Sequence, residues 1–102
     1  MKTYLLTPRA KADIFEIWSY IAKDSESAAD RVEQAIYDGC HFIAESPSLG
    51  HSRTALTSRP LLFWTLTRFP NYSIVYKPYS LPVEVVAVLH GRRNLPRVLR
   101  DR

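Results

Sequence analysis

The stretch YSIVYKPYSLPVEVVAVLH, residues 72–90, decides the fold that the sequence predicts. It holds two runs rich in β-branched and aromatic residues, Tyr72–Lys77 and residues 83–89, on either side of a proline-containing turn. Runs of this kind bounded by turn residues are typical of strands, and so short a connection makes the two strands antiparallel. Only Glu84 interrupts the apolar run of the second strand, so we expect it to be the central, most buried strand of a sheet.

Further strands lie on both sides of this stretch in the sequence. Residues 61–68 form a third β-rich run, joined to the first by Phe69-Pro70-Asn71. Residues 2–6 near the start of the chain also predict a short strand. The order is strand, two helices, three strands, so the sequence predicts an α+β domain in which a helix hairpin covers one face of an antiparallel three-stranded meander.

The two helices are predicted from their caps and apolar periodicity. Thr7-Pro8 has the residue types of a helix N-cap and first helical position, and the helix is expected over residues 8–22, with Asp13 off its apolar stripe. A second helix follows the polar residues 24–27 and ends at Ser46-Pro47. The short break between them predicts an antiparallel hairpin, with Gly39 allowing the first helix to come close.

Length and composition bound the class of protein. With 102 residues, ordinary apolar and charged content and no linker, the chain is expected to be one domain, residues 1–102. The single cysteine, Cys40, excludes an intrachain disulfide and any multi-cysteine metal site, and it indicates a reducing compartment. The first residues carry too short an apolar run for a signal peptide, so the expected location is the cytoplasm, with no membrane association.

The net charge of the chain lies at its C-terminal end. Residues 90–102, the C-terminal segment, contain five arginines and one aspartate and so carry the whole net charge of +4. The charges of residues 1–89 cancel. Such an asymmetry predicts a partner that presents phosphate or acidic side chains, the alternative being a merely solvated terminus.

The same region contains the residues best suited to chemistry. Arginine binds phosphate through its planar fork of donors, and a histidine can move the proton of a ribose hydroxyl, so Arg68 and His90 could serve a metal-independent ribonuclease. A histidine at a strand end is more often structural. His41 and His51 lack a spaced ligand partner, so neither a metal nor another cofactor is expected. A stand-alone RNA-binding module remains a further alternative.

Six short segments follow one another in an order that is known from one superfamily. They are LTPRAKADI (6–14), AADR (28–31), SPSLGHSR (46–53), YSIVY (72–76), VEVVAV (83–88) and LHGRRN (89–94). Together they resemble the toxins of bacterial type II toxin–antitoxin modules in the RelE/ParE superfamily, over nearly the whole chain. The resemblance implies the α+β fold already expected and a toxin that inhibits bacterial growth.

The superfamily has two activities on one fold. ParE-like members inhibit DNA gyrase and are not known as nucleases, whereas RelE-like members cleave mRNA in the ribosome. The nuclease members tend to carry an arginine about where Ser73 stands, and a C-terminal tyrosine or basic pair, but no tyrosine follows His90 here. The resemblance therefore favours a gyrase inhibitor, which is not an enzyme, with the mRNA endoribonuclease as the alternative.

The resemblance also implies a partner and two surfaces. A cognate antitoxin with an acidic C-terminal segment is expected to fold over the toxin, on aromatic side chains that lie partly off the helix core stripes. These four residues, the hairpin surface, are Phe15, Tyr20, Tyr37 and Phe42. The residues expected to contact the target are His90, Arg92, Arg93 and Arg97, with Arg59 and Arg68 as helpers.

Overall fold

The computed structural model of the protein describes residues 3–53, 57–91, 99–100 and 102. In chain order its elements are β1 (Tyr4–Leu6), α1 (Pro8–Ala22), α2 (Glu26–Glu45), a 3₁₀ turn (Pro47–Leu49), β2 (Leu62–Thr65), β3 (Tyr72–Lys77) and β4 (Val83–His90). The predicted order and α+β class are confirmed. Within the described part of the chain, neither helix has the length and apolar composition that crossing a membrane requires.

The helices begin where their caps predict. The Thr7 hydroxyl accepts a hydrogen bond from the Ala10 amide at 3.1 Å, with Pro8 in the first helical position. The Ser25 hydroxyl accepts from the Ala28 amide at 3.1 Å in the same way. Each cap satisfies an amide that the first helical turn leaves unpaired, so the starts of α1 and α2 are fixed locally.

The strands form one four-stranded sheet in the order β1-β4-β3-β2. β4 lies between β1 and β3, which confirms the prediction that the last strand is central. β1 runs parallel to β4, and the helix hairpin supplies the long connection that a parallel pair requires. β2 is shorter than the predicted run of residues 61–68, because the chain turns after Leu66, whose amide donates to the carbonyl of Tyr72.

A β-bulge in β4 changes which side chains face the helices. Tyr76 pairs with Val85 and Val75 pairs with Ala87, so Val86 is the extra residue opposite β3. Such a bulge shifts the alternation of side chains by one position. Val83 and Val85 therefore face the helices before the bulge, and Val88 faces them after it.

The sheet has a buried apolar layer on each face. The layer under the helices contains Ala10, Ile14, Val32, Ile36, Cys40, Ile43, Leu66, Ile74, Tyr76, Val83, Val85 and Val88. The layer on the far face contains Leu61, Phe63, Val75, Val86, Ala87, Leu89 and Leu99. Leu99 belongs to the C-terminal segment, so at least part of that segment packs on the body.

Gly39 allows a close approach to the sheet, so the expectation that it serves the first helix is wrong. A Cβ atom at Gly39 would lie 2.7 Å from Ile74 Cδ1 and 3.2 Å from Leu66 Cδ2. The helix face that contains Gly39 rests on β3 and on the residue that follows β2. The absence of a side chain thus lets α2 pack directly against the sheet.

Candidate functional site

Three of the predicted target-contact residues, Arg92, Arg93 and Arg97, lie outside the described residues. The residues on either side of this stretch are described. Before it, the Gly91 amide donates to the Asn71 carbonyl at 2.8 Å. After it, Leu99 is buried on the far face of the sheet.

His90 ends β4 and packs on a tyrosine. It lies directly opposite Tyr72, and the two rings meet edge to face with centroids 5.0 Å apart and an interplanar angle of 81°. Burial, and secondarily the nearby phenol of Tyr20, raise the pKa of Tyr72. The end of α1 and the ends of β3 and β4 therefore bring Tyr20, Tyr72 and His90 into one region.

Arg68 and Arg59, the two predicted helpers, lie in different places. Arg68 is exposed in the turn between β2 and β3 and lines an open groove beside α2. Arg59 is half-buried, and its Nη1 donates to the Leu99 carbonyl at 3.5 Å. Arg68 and His90 flank the same end of the sheet, but β3 separates their strands, which corresponds to about 10 Å between β2 and β4.

The hairpin surface is mostly exposed. Phe15 is 69%, Tyr20 71% and Phe42 44% exposed, which is unusual for aromatic side chains. Tyr37 differs, since it is half-buried and packs against the core under the helices. Burial and the nearby Glu33 raise its pKa.

A groove next to Phe42 extends this surface and was not predicted from the sequence. It has a volume of about 470 Å³ and is lined by Ala35, Asp38, Gly39, Phe42, Trp64, Leu66, Thr67 and Arg68. The Phe42 and Trp64 rings, which both line it, are in contact, with their centroids 4.9 Å apart. The sequence carries no local signal for this groove, because the gap arises from the way α2 and β2 pack in the folded protein.

A second feature that sequence reasoning missed is a buried ion pair. Asp13 was expected off the core stripe of α1, and this expectation is wrong, because its carboxylate is buried against β4 and the C-terminal segment. Arg102 donates from Nη1 to Asp13 Oδ2 at 2.7 Å and from Nη2 to Oδ1 at 3.0 Å. These hydrogen bonds to Asp13 raise the pKa of Arg102 and keep it charged despite its burial.

The described side chains can be assessed both for metal binding and for a reactive cysteine. Among them, no three His, Cys, Asp or Glu residues come together in a group that could hold a metal ion. Cys40 is buried under the helices, and burial raises the pKa of its thiol to about 12. A thiol of that kind is a poor nucleophile, because only the thiolate reacts.

Comparison with known proteins identifies the family. The family model described as the ParE toxin of the type II toxin–antitoxin system, parDE, matches residues 4–95. The chain therefore belongs to the ParE family of type II toxin–antitoxin toxins.

Two similar proteins agree with this assignment. A Sinorhizobium fredii (strain NBRC 101917 / NGR234) protein named "Putative toxin Y4kP" is 36% identical over 93 residues, which are 91% of this chain and 92% of that protein. A chain of a solved structure described as the chromosomal ParDE TA system from P. aeruginosa superposes with a TM-score of 0.72. The match covers 88% of this chain and 96% of that one, and at 18% identity it supports the fold.

Proposed function

We propose that the protein inhibits bacterial growth by binding DNA gyrase through its C-terminal segment, in the cytoplasm where gyrase acts. The observation that carries this proposal is the concentration of charge: residues 90–102 hold the whole net charge of +4. Membership of the ParE family supports gyrase as the target. Arg92, Arg93 and Arg97 would make charge-assisted hydrogen bonds to an acidic surface, and His90 would mark the start of the contact.

The fixed ends of this stretch support the same assignment. Gly91 is hydrogen-bonded to the turn before β3, and Leu99 is buried in the far apolar layer. A segment whose ends are held loses less conformational entropy on binding than a free tail. Arg59, which donates to the Leu99 carbonyl, is better explained as an anchor of the segment than as a target contact.

We further propose that a cognate antitoxin neutralises the protein by covering the hairpin surface. The large exposed areas of Phe15, Tyr20 and Phe42 support this, because exposed large apolar side chains are common at interaction sites. An amphipathic helix is the expected occupant, with an acidic stretch reaching towards the basic segment. The description of the P. aeruginosa neighbour as a ParDE toxin–antitoxin system is consistent with such a partner.

The second candidate function is ribosome-dependent cleavage of mRNA without a metal or cofactor. The observation that favours it is the meeting of Tyr72 and His90 at the sheet end that Arg68 also flanks. The separation of the Arg68 and His90 strands by β3 weakens it, since both groups would have to reach one phosphodiester.

Expression of the protein alone and together with its neighbouring gene tests the proposal. Expression alone is expected to stop growth and induce the DNA-damage response, and co-expression of the antitoxin is expected to restore growth. Inhibition of gyrase supercoiling by the purified protein would support the gyrase target, whereas mRNA cleavage on ribosomes would select the second candidate. Normal growth while folded protein accumulates would count against both.

A further inference from the structure

β4 has backbone groups that its neighbouring strand does not reach. β1 pairs with β4 only as far as Val85, whose carbonyl accepts from the Thr7 amide at 3.1 Å. Beyond that point the Val86 carbonyl and the Val88 amide also lie on this edge of β4, and the Thr7 hydroxyl donates to the Val86 carbonyl at 3.4 Å. Because β4 is the most buried strand, leaving these groups unpaired would be costly.

Two side chains take the place of the missing strand residues. Asp13 Oδ2 accepts from the Val88 amide at 3.0 Å, and Arg102 Nη1 donates to the Val86 carbonyl at 3.0 Å. The two side chains are 5% and 10% exposed, so their fork of hydrogen bonds is largely shielded from water. A carboxylate and a guanidinium together thus supply hydrogen bonds to the sheet edge beyond the end of β1.

The positions of Leu99 and Arg102 show where the last described residues lie relative to the sheet. Leu99 packs in the apolar layer on the far face, whereas Asp13 belongs to α1 on the helix face. Leu99 and Arg102 therefore lie on opposite sides of the open edge of β4, one packed in the far layer and the other bound to a residue of the helix face. The Arg102 amide donates to the Leu99 carbonyl at 3.2 Å, which joins the two anchor points in a tight turn.

We propose that Asp13 and Arg102 are a positioning pair that fixes the C-terminal segment across the edge of β4. The inference rests on the proposed function, in which the segment contacts the target. The pair itself is shielded and touches no target: it acts by setting where the segment returns to the body. Neither residue belongs to the predicted contact set.

The test compares two variants that lose the same charge. Arg102→Gln removes the two charged hydrogen bonds from the guanidinium to Asp13. Arg100→Gln removes a charge from an exposed side chain two positions earlier. Amide hydrogen exchange reports whether the segment stays docked. In R102Q we expect the amides of residue 102 and Val88 to exchange at least about tenfold faster than in the wild type, while the amides of α2 and β3 keep their exchange rates. Local openings speed up exchange only at the amides that they release. In this exchange measurement R100Q should give the same rates as the wild type, because the Arg100 side chain is exposed.

Growth inhibition reports the functional consequence without presupposing the target. At matched amounts of soluble protein, we expect R102Q to be at least about tenfold less toxic than R100Q. A tenfold loss corresponds to about 1.4 kcal/mol of lost contact energy. Arg102→Lys retains one charged contact and should fall between R102Q and wild type in both measurements. It also serves as the test variant if R102Q does not fold.

Each outcome decides the proposal. Equal exchange in R102Q and R100Q would overturn it, and so would local loosening with unchanged toxicity. Faster exchange throughout the fold would also overturn it, because the pair would then contribute only general stability. If the wild type is toxic but leaves gyrase active, the proposed target fails while the comparison of variants still stands. If the wild type is not toxic, the proposed function fails and the exchange data alone decide the positioning.

Discussion

Replacing Tyr76 by phenylalanine should destabilise the protein measurably although it removes a single oxygen atom. The Tyr76 ring is fully buried, and its hydroxyl donates to the Pro47 carbonyl at 2.6 Å and accepts from the Gly50 amide at 2.9 Å. This hydroxyl therefore connects the 3₁₀ turn after α2 to β3 near the end of that strand. The turn leaves no space for a side chain at position 50, because a Cβ atom on Gly50 would overlap the Tyr76 hydroxyl.

The expected loss follows from the two hydrogen bonds. Each contributes about 1 kcal/mol, which gives about 2 kcal/mol in total when water reaches the Pro47 and Gly50 groups that lose their partner. For a domain of this size that corresponds to a fall in Tm of roughly 10 °C. Tyr79→Phe is the matched control, since Tyr79 is 63% exposed and its loss should stay within about 0.5 kcal/mol.

Urea unfolding followed by tryptophan fluorescence measures both variants. The midpoint of Y76F should fall while the slope of the free energy against urea stays the same, because the buried area does not change. A Y76F midpoint within error of that of Y79F would refute the reasoning. It would mean that the turn at Pro47 is held by contacts other than the tyrosine hydroxyl.

Three further predictions concern the hairpin surface, the pH dependence and the C-terminal segment. Phe15→Ser should weaken antitoxin binding by at least about 2 kcal/mol in calorimetry with little change in Tm, whereas Leu81→Ser, which also removes an exposed apolar side chain, should bind as wild type. The pKa of Cys40 is about 12 in the fold and 9.0 without it, so the folded state holds its proton more tightly. Stability is therefore kept below pH 9.0 and falls by about 1.4 kcal/mol per pH unit above it, and an equal slope in Cys40→Ala by urea titration would contradict this. Arg92→Ala with Arg93→Ala should abolish toxicity and leave circular dichroism unchanged, since each lost charge-assisted bond removes about 1.5–3 kcal/mol of contact energy; a toxic double variant would move the contact elsewhere.

The features that sequence reasoning predicted are those with a local cause. Thr7 and Ser25 cap helices through amides three residues away, so their role is visible in a short window of sequence. The apolar run of β4 likewise marks a central strand without any knowledge of its neighbours. Such patterns decide the elements and their order, which is why the fold class could be predicted.

The features that were missed depend on residues far apart in the chain. Asp13 has the sequence context of a solvent-exposed helix residue, and its burial is made favourable by Arg102, 89 positions later, and by the Val88 amide, 75 positions later. The groove between α2 and β2 arises from how two elements pack, and no single element encodes it. The candidate contact residues therefore stay a prediction from the sequence, whereas the ion pair of Asp13 with Arg102 could be seen only in the fold.

The extra residue in β4 also decides on which side of the sheet the strand delivers its last side chain. With Val86 present, Val88 faces the helices, and His90, two residues further on, points the same way and meets Tyr72. If the same residues formed a regular ladder without the bulge, every position after Val86 would change face and His90 would emerge on the far face, away from α1. An irregularity of one residue inside a buried strand thus decides which face of the sheet the ring of His90 joins.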